Sequence, residues 1–355
     1  MNGLYIICEA RGEEFRPATY ELLAAARAIT AATGGEVTAV VAGPEVTLKA
    51  KLEGLAHRVV TLTAPELTPF SADSWVDALA AAIGAGAPRA VLFGEGGRTR
   101  EVMPRLAARL GAWALSNCVD LRVNGGGADA VGGSTGAGAT DGLGGASAAG
   151  AAAADGGSAL EISRPVYGGK AYVTNLVPAD GLLLAAFRPH SFDAGMAPAG
   201  LSTAAEEVAA PVAVSRVELV ERREGGPRKA DLTEAAVVVT GGRGMKGPEN
   251  FGLLEDLAAA LEGAVGYSRA LVDAGLAEHA YQVGKSGKTV SPTLYIACGV
   301  SGAIHHIMGM DTAKVVVAIN TDPTAPIFEY ADYGVVGDVL QVLPALTEQV
   351  RAATS

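Results

Sequence analysis

Apolar and polar positions along the chain switch repeatedly between two periods. Leu4–Cys8, Val37–Val41, Arg58–Leu62 and Arg89–Phe93 are short apolar or β-branched runs with the length of buried strands. Between and after them, Pro17–Thr33, Val46–Leu55, Ser71–Ile83 and Thr99–Leu110 carry apolar residues at helical spacing. Gly34-Gly35 closes the first of these helices. Ser71, with Asp73 in the first turn, fits the start of the third. A run of strand–helix units predicts a mostly parallel sheet covered by helices.

The pattern then lapses. Asn124–Ser158 is almost entirely Gly, Ala, Ser, Thr and Asp, with too little apolar surface to offset the entropy of ordering it. It is expected to be a flexible surface insertion. A phosphate-binding reading of its glycines lacks the strand before and the helix after. Pro165–Tyr167, Ala171–Val177 and Leu182–Phe187 are expected as antiparallel strands completing a first domain. Glu206–Asp231, charged and interrupted by Pro227, marks a boundary, which gives domains 1–215 and 216–355. A second strand–helix series starts at Ala236–Thr240, passes through Gly241–Gly247 and enters a helix over Asn250–Leu261. The expected fold is therefore α/β, with two domains of Rossmann-like character.

Composition narrows the functional classes. The chain has 355 residues, which is long for a single core. Its net charge of −11 and lack of a Lys/Arg cluster argue against nucleic acid and anionic membrane as partners. No apolar run reaches the roughly 20 residues of a membrane helix. Cys8, Cys118 and Cys298 are scattered and form no CxxC pair, so neither a disulfide framework nor a zinc site is expected. Glu9, Arg11, Glu13 and Glu14 interrupt any leader-like start, and a cytoplasmic protein is expected.

The candidate chemistry lies in the last third. Thr293–Cys298 reads as a buried strand that breaks at Gly299 and Gly302 and turns into a helix over Gly302–Met308. Amides freed at such a turn suit phosphate or developing negative charge, and His306 adds a titratable donor. The loop Gly241–Gly247 lets backbone approach a diphosphate, although its spacing is not GxGxxG. Three imitations fall short. Gly284-Lys285-Ser286 has His279 where a P-loop needs its first glycine. Gly299–Ala303 ends in Ala where a nucleophile elbow ends in Gly, which weakens a Ser301/His306 hydrolase. His305 and His306 are adjacent, so a helix would point them about 100° apart, away from a shared metal.

Six ordered blocks carry a more specific signal. They are Thr240–Met245, Val265–Ala270, Gln282–Lys288, Ser291–Met310, Ala318–Pro323 with Ala325–Phe328, and Ala331–Asp338. Together they resemble the α subunit of the electron transfer flavoproteins, from Val237 almost to the C-terminus. The N-terminal half resembles that family more loosely, through its strand–helix pattern and Arg188-Pro189. The resemblance implies FAD in the C-terminal domain and a β subunit as partner, with AMP or a second FAD in that subunit. It implies cofactor contacts from Arg243, from Ser268 and Arg269, and from Val283, Gly284, Lys285 and Ser286 along the isoalloxazine. Ser286 would reach flavin N5. Ser301, Gly302, Ala303, Ile304, His305 and His306 form the signature turn, with His306 near N1 and the C2 carbonyl. Asn320 and Asp338 would hold the ribityl-adenosine portion.

Lys285 stands where family members commonly carry Gln, which is expected to raise the flavin potential. Ser286 for Thr keeps the hydroxyl, while His305 and Met308 replace a common Gln and Ala. The function implied is an electron carrier that takes electrons from flavin dehydrogenases, such as acyl-CoA dehydrogenases of fatty acid β-oxidation. It would pass them to a quinone-linked oxidoreductase or another acceptor. Two alternatives stay open: an electron-bifurcating, NADH-oxidising complex, and a nucleotide-binding regulatory module without redox activity. A self-sufficient flavoenzyme finds no acid/base pair in the sequence to support it.

Overall fold

The computed structural model describes residues 3–123, 160–167, 171–178, 180–196, 200–213, 217–221 and 231–354. The expected insertion at 124–158 lies outside them. The chain forms two compact units, with the main division between residues 223 and 224.

In the first unit, β1 (Leu4–Cys8), β2 (Val37–Ala42), β3 (Arg58–Thr63), β4 (Ala90–Gly94), β5 (Trp113–Cys118), β6 (Leu183–Phe187) and β7 (Ala204–Ala209) share one sheet. Their order is β7-β3-β2-β1-β4-β6-β5, and every pair is parallel. Side chains alternate across a strand, so β1 feeds two cores. Leu4, Ile6 and Cys8 pack with Leu22, Leu23 and Ile29 of α1 (Pro17–Thr33). Tyr5 and Ile7 pack on the other face with Trp75 and Leu79 of α2 (Ala72–Gly86) and Leu106 of α3 (Gly97–Leu110). Helices on both faces are what a buried parallel sheet requires.

Several local expectations change. Leu183–Phe187 is a parallel strand inside the main sheet, not an antiparallel appendage. All five of its residues are buried, and a continuous apolar run covered on both sides is the signature of a parallel strand. Leu160–Val166 does pair antiparallel with Asp120–Val123, in a three-stranded sheet with Ala171–Val177. The stretch expected as helix over Val46–Leu55 is a 3₁₀ segment, Gly43–Leu52. Ser71 occupies the N-cap position of α2 without making the capping hydrogen bond. Two strands lack a continuous apolar run to announce them. β5 is buried only at Leu115 and Cys118, and β7 is an almost fully exposed edge with Glu206 paired to Arg58.

The second unit holds β8 (Val237–Gly241), β9 (Ala264–Ser268), β10 (Gln282–Val283), β11 (Leu294–Cys298), β12 (Val315–Asn320) and β13 (Tyr333–Val336). The order is β10-β9-β8-β11-β12-β13, again all parallel. From β8 the chain steps outward to β9 and β10, then returns to the other side of β8 for β11. Strand order therefore reverses between β8 and β11, and the carboxyl ends of strands at such a point are where ligand crevices form. Leu254 and Leu257 of α4 (Gly252–Ala260) and Leu343 of the C-terminal helix Val339–Thr354 cover one face. The opposite face packs Tyr295, Val283 and Ile307.

Candidate cofactor site at the carboxyl ends of the second sheet

A half-open cavity of about 510 Å³ lies at this crevice, within the usual range for small-molecule sites. The strand ends and following loops of β8 to β12 supply its walls: Arg243 and Gly244, Ser268 to Ala270, Gln282 to Gly284 with Ser286, Gly299 to Ser301, and Asn320 with Thr321. Ala303, His305 and His306 close it. Eleven of the fifteen residues singled out in the sequence thus meet at one place: Arg243, Ser268, Arg269, Val283, Gly284, Ser286, Ser301, Ala303, His305, His306 and Asn320.

The other four do not line it. Gly302 turns the chain with φ +84°, and its Cα is packed so closely that a Cβ would lie 2.3 Å from the Ile327 nitrogen. Ile304 points outward, 46% exposed. Lys285 is exposed at the rim, held by its backbone N–H donating to the His305 carbonyl at 2.7 Å. Asp338 is engaged elsewhere. Its Oδ2 accepts from Lys246 Nζ at 2.8 Å, and its Oδ1 accepts from the Leu340 amide at 3.1 Å. It caps the C-terminal helix and anchors the end of the glycine loop, and the Lys246 ammonium holds its carboxyl below the usual range.

Glycines make the cavity possible. The β8 and β11 loops touch backbone to backbone: the Gly242 and Gly244 amides donate to the Cys298 and Gly299 carbonyls at 2.9 and 3.0 Å. Any side chain at Gly242 would meet the Gly299 carbonyl oxygen at 2.3 Å. Gly284, at φ +139°, similarly abuts the His305 carbonyl. The helix after the turn is shorter than its sequence predicts, Ile304–Ile307 in place of Gly302–Met308. One turn carries little dipole, so side chains rather than a helix terminus must supply most of the electrostatics.

Those side chains are unevenly committed. The Arg243 guanidinium is exposed and makes no ion pair with the described residues. Arg269 pairs with Asp273 at 3.1 Å. Asn320 donates from Nδ2 to the Val300 carbonyl at 2.9 Å and accepts from the Asp322 amide, so it braces the loop. Ser286 Oγ accepts from Gln282 Nε2 at 3.0 Å, which leaves its own proton available. Ser268 Oγ and His306 Nδ1 are buried without a hydrogen-bond partner among the described residues. An orphaned buried polar atom is costly, and two of them bordering one cavity suit a ligand that satisfies both. Sequence reasoning left six lining residues out of its candidate set, Gly244, Ala270, Gln282, Gly299, Val300 and Thr321, although all six lie inside the six ordered blocks.

The residues of the three imitations are placed as follows among their neighbours. Among the described residues no hydrogen bond joins Ser301 to His306, whose Nε2 is occupied by the Tyr295 hydroxyl at 2.8 Å. No helix follows Gly284–Ser286 before Ile304. His305 is exposed while His306 is buried, and no metal-capable cluster of His, Cys, Asp or Glu occurs among the described residues.

Comparison with known proteins decides the family. Residues 231–311 match the model of the electron transfer flavoprotein FAD-binding domain, and residues 5–132 match that of the electron transfer flavoprotein domain. The chain is 35% identical to the electron transfer flavoprotein subunit alpha of Bacillus subtilis, over 98% of this chain and 96% of that protein. It is 37% identical to the subunit of the same name in Mycobacterium tuberculosis, over 99% of each. Protein FixB of Clostridium saccharobutylicum is 32% identical, over 100% of this chain and 98% of its own length. The chain belongs to the electron transfer flavoprotein α-subunit family.

Within this family member the state of His306 follows from its surroundings. Burial pushes its pKa down to about 4, so it is neutral near neutral pH. In the unfolded chain the same group titrates near its ordinary value of about 6.5. Between those values the unfolded state binds more protons than the folded one, so stability must fall as pH drops from about 6.5 towards about 4. The loss attributable to this group approaches about 3 kcal/mol at the acid end. Urea unfolding of the wild type and His306→Gln across this window should show the wild type losing stability faster. Parallel curves would contradict a buried neutral histidine.

Described helices include none long and apolar enough to cross a membrane. The three cysteines are free and buried, and burial pushes the Cys118 and Cys298 thiols up to about 12.

Proposed function

We propose that the chain is the FAD-holding α subunit of a heterodimeric electron carrier in the cytoplasm. In this reading it accepts electrons from flavin dehydrogenases such as acyl-CoA dehydrogenases and delivers them to a quinone-linked oxidoreductase or another acceptor. The observation that carries the reading is the crevice at the β8/β11 switch point, inside the segment that matches an FAD-binding domain. The cavity fits such a cofactor in three respects: glycine loops allow close backbone approach, Arg243 offers an uncommitted cation, and Ser268 and His306 offer unsatisfied polar atoms.

When bound, FAD supplies reversible one- and two-electron storage. The protein's part is electrostatic. Arg243 would neutralise an anionic group, and Ser268 and Ser286 would donate hydrogen bonds. His306 would act as a neutral donor rather than a cation, because burial suppresses its protonation. Asp338 would contribute indirectly, by holding Lys246 and the glycine loop.

Lys285 tests how far charge at the rim matters. Its position is exposed, so solvent screens it, and its contribution should stay near or below about 1 kcal/mol. Lys285→Gln is expected to lower the flavin potential slightly in spectroelectrochemistry. No change, or a rise, would show that Lys285 does not tune the flavin.

Co-expression with the β subunit and flavin counting tests the whole. One FAD with AMP per heterodimer supports the simple carrier, and two FAD support the bifurcating alternative. A colourless heterodimer that refuses FAD would refute both and leave the nucleotide-binding module.

A further inference from the structure

We infer that Tyr295 is a positioning residue, whose hydroxyl donates to Nε2 of His306 and fixes the neutral imidazole with its proton on Nδ1. That places a donor of fixed identity beside the cavity. The nature of its acceptor rests on the function proposed above; the tautomer itself does not.

Tyr295 lies in β11 and is completely buried, and its hydroxyl is 2.8 Å from His306 Nε2. The ring centroids are 6.2 Å apart at 59°, so the two do not stack. A neutral imidazole has one donor and one acceptor nitrogen, and two arrangements satisfy that contact. In one the phenol donates to Nε2; in the other it accepts from Nε2–H.

The buried polar groups select the first. The contact with Nε2 is the only hydrogen bond of the Tyr295 hydroxyl among the described residues, and the phenol is fully buried. Thr240 sits on the same sheet face, because it pairs with Ala297, two residues beyond Tyr295, but its hydroxyl makes no hydrogen bond and so gives the phenol no second acceptor. If the phenol accepted from Nε2–H, its own proton would be stranded in the core beside an unsatisfied Nδ1 lone pair. If it donates, the phenol proton is satisfied and the single open group is an Nδ1–H on a residue that lines the cavity.

The pair Tyr295 and His306 therefore ends in an N–H that has no partner among the described residues. An accepting carbonyl of the cofactor can take it. The reversed tautomer would present a lone pair to that carbonyl and weaken the site, which makes Tyr295 relevant without touching the ligand.

Nitrogen-15 spectra of the histidine-labelled α–β complex, assigned with His306→Gln, read the tautomer directly at about pH 7. The Nδ1–H form should dominate the wild type at least about tenfold, with and without FAD, and Tyr295→Phe should bring the two forms towards parity. Tyr295→Phe should also lower the flavin midpoint potential. An Nε2–H or imidazolium signal in the wild type overturns the inference. So does an unchanged tautomer in Tyr295→Phe. If that variant does not fold, the wild-type spectrum decides. Absence of flavin binding alongside an intact Nδ1–H signal would instead strike the proposed function and leave this inference standing.

Discussion

Gly242→Ala is expected to abolish tight FAD binding while leaving the first unit folded. The added Cβ would lie 2.3 Å from the Gly299 carbonyl oxygen and 2.7 Å from the Val300 Cα, both backbone atoms that no rotamer change can clear. Relief requires the β8 and β11 loops to separate, which breaks the Gly242–Cys298 and Gly244–Gly299 hydrogen bonds that set the crevice. Overpacking of this kind costs about 2 kcal/mol or more, so an affinity loss beyond about tenfold should follow. Gly252→Ala is the control. That residue opens α4, a Cβ added there would meet nothing within 4 Å, and alanine favours helix. Flavin titration of both variants, with urea unfolding alongside, measures the contrast. Equal FAD affinity in the two would mean the loops do not form the site.

Trp75→Ala should be the most destabilising single change in the first unit, at about 3–5 kcal/mol. Trp75 is 1% exposed and meets Phe70 edge-on at 5.4 Å. Arg98 lies over both rings, 5.3 Å from Trp75 and 5.2 Å from Phe70, and forms the ion pair that neutralises Glu45. Glu45 is only 5% exposed, so removing the indole both opens a cavity and loosens the partner of a buried carboxylate. Trp75→Phe should cost much less. It keeps most of the packing and also removes an indole N–H that has no hydrogen-bond partner among the described residues. Chemical unfolding followed by circular dichroism gives both values. A Trp75→Ala loss below about 1 kcal/mol would show that the core around Arg98 relaxes freely.

Much of the fold is legible because burial on both sheet faces leaves an uninterrupted apolar run. Leu4–Cys8 coincides with its strand and Pro17–Thr33 with its helix, and the strands expected at Ala236–Thr240 and Thr293–Cys298 fall within a residue of those observed. The departures have identifiable reasons. Leu183–Phe187 reads as extended but not as parallel, since pairing direction depends on where the chain has been, which local sequence does not record. β7 escapes notice because an exposed edge needs no apolar residues, only a neighbour with open hydrogen-bonding groups.

The residue types at the site are equally legible, since glycines, Arg243, Ser268 and the histidine turn announce close backbone approach and anion-friendly chemistry. Which residue types gather at this cavity could be read from sequence alone. What each can do there was set by folding. Burial turned His306 from a titratable cation into a neutral ring, and the sheet placed Tyr295 and Thr240 on one face from strands far apart in the chain, with the tyrosine against the histidine. Asp338 was drawn away to cap a helix and hold Lys246. Composition fixes a group's intrinsic chemistry, whereas its protonation and free hydrogen-bonding capacity depend on solvent exclusion and on neighbours that only folding assembles.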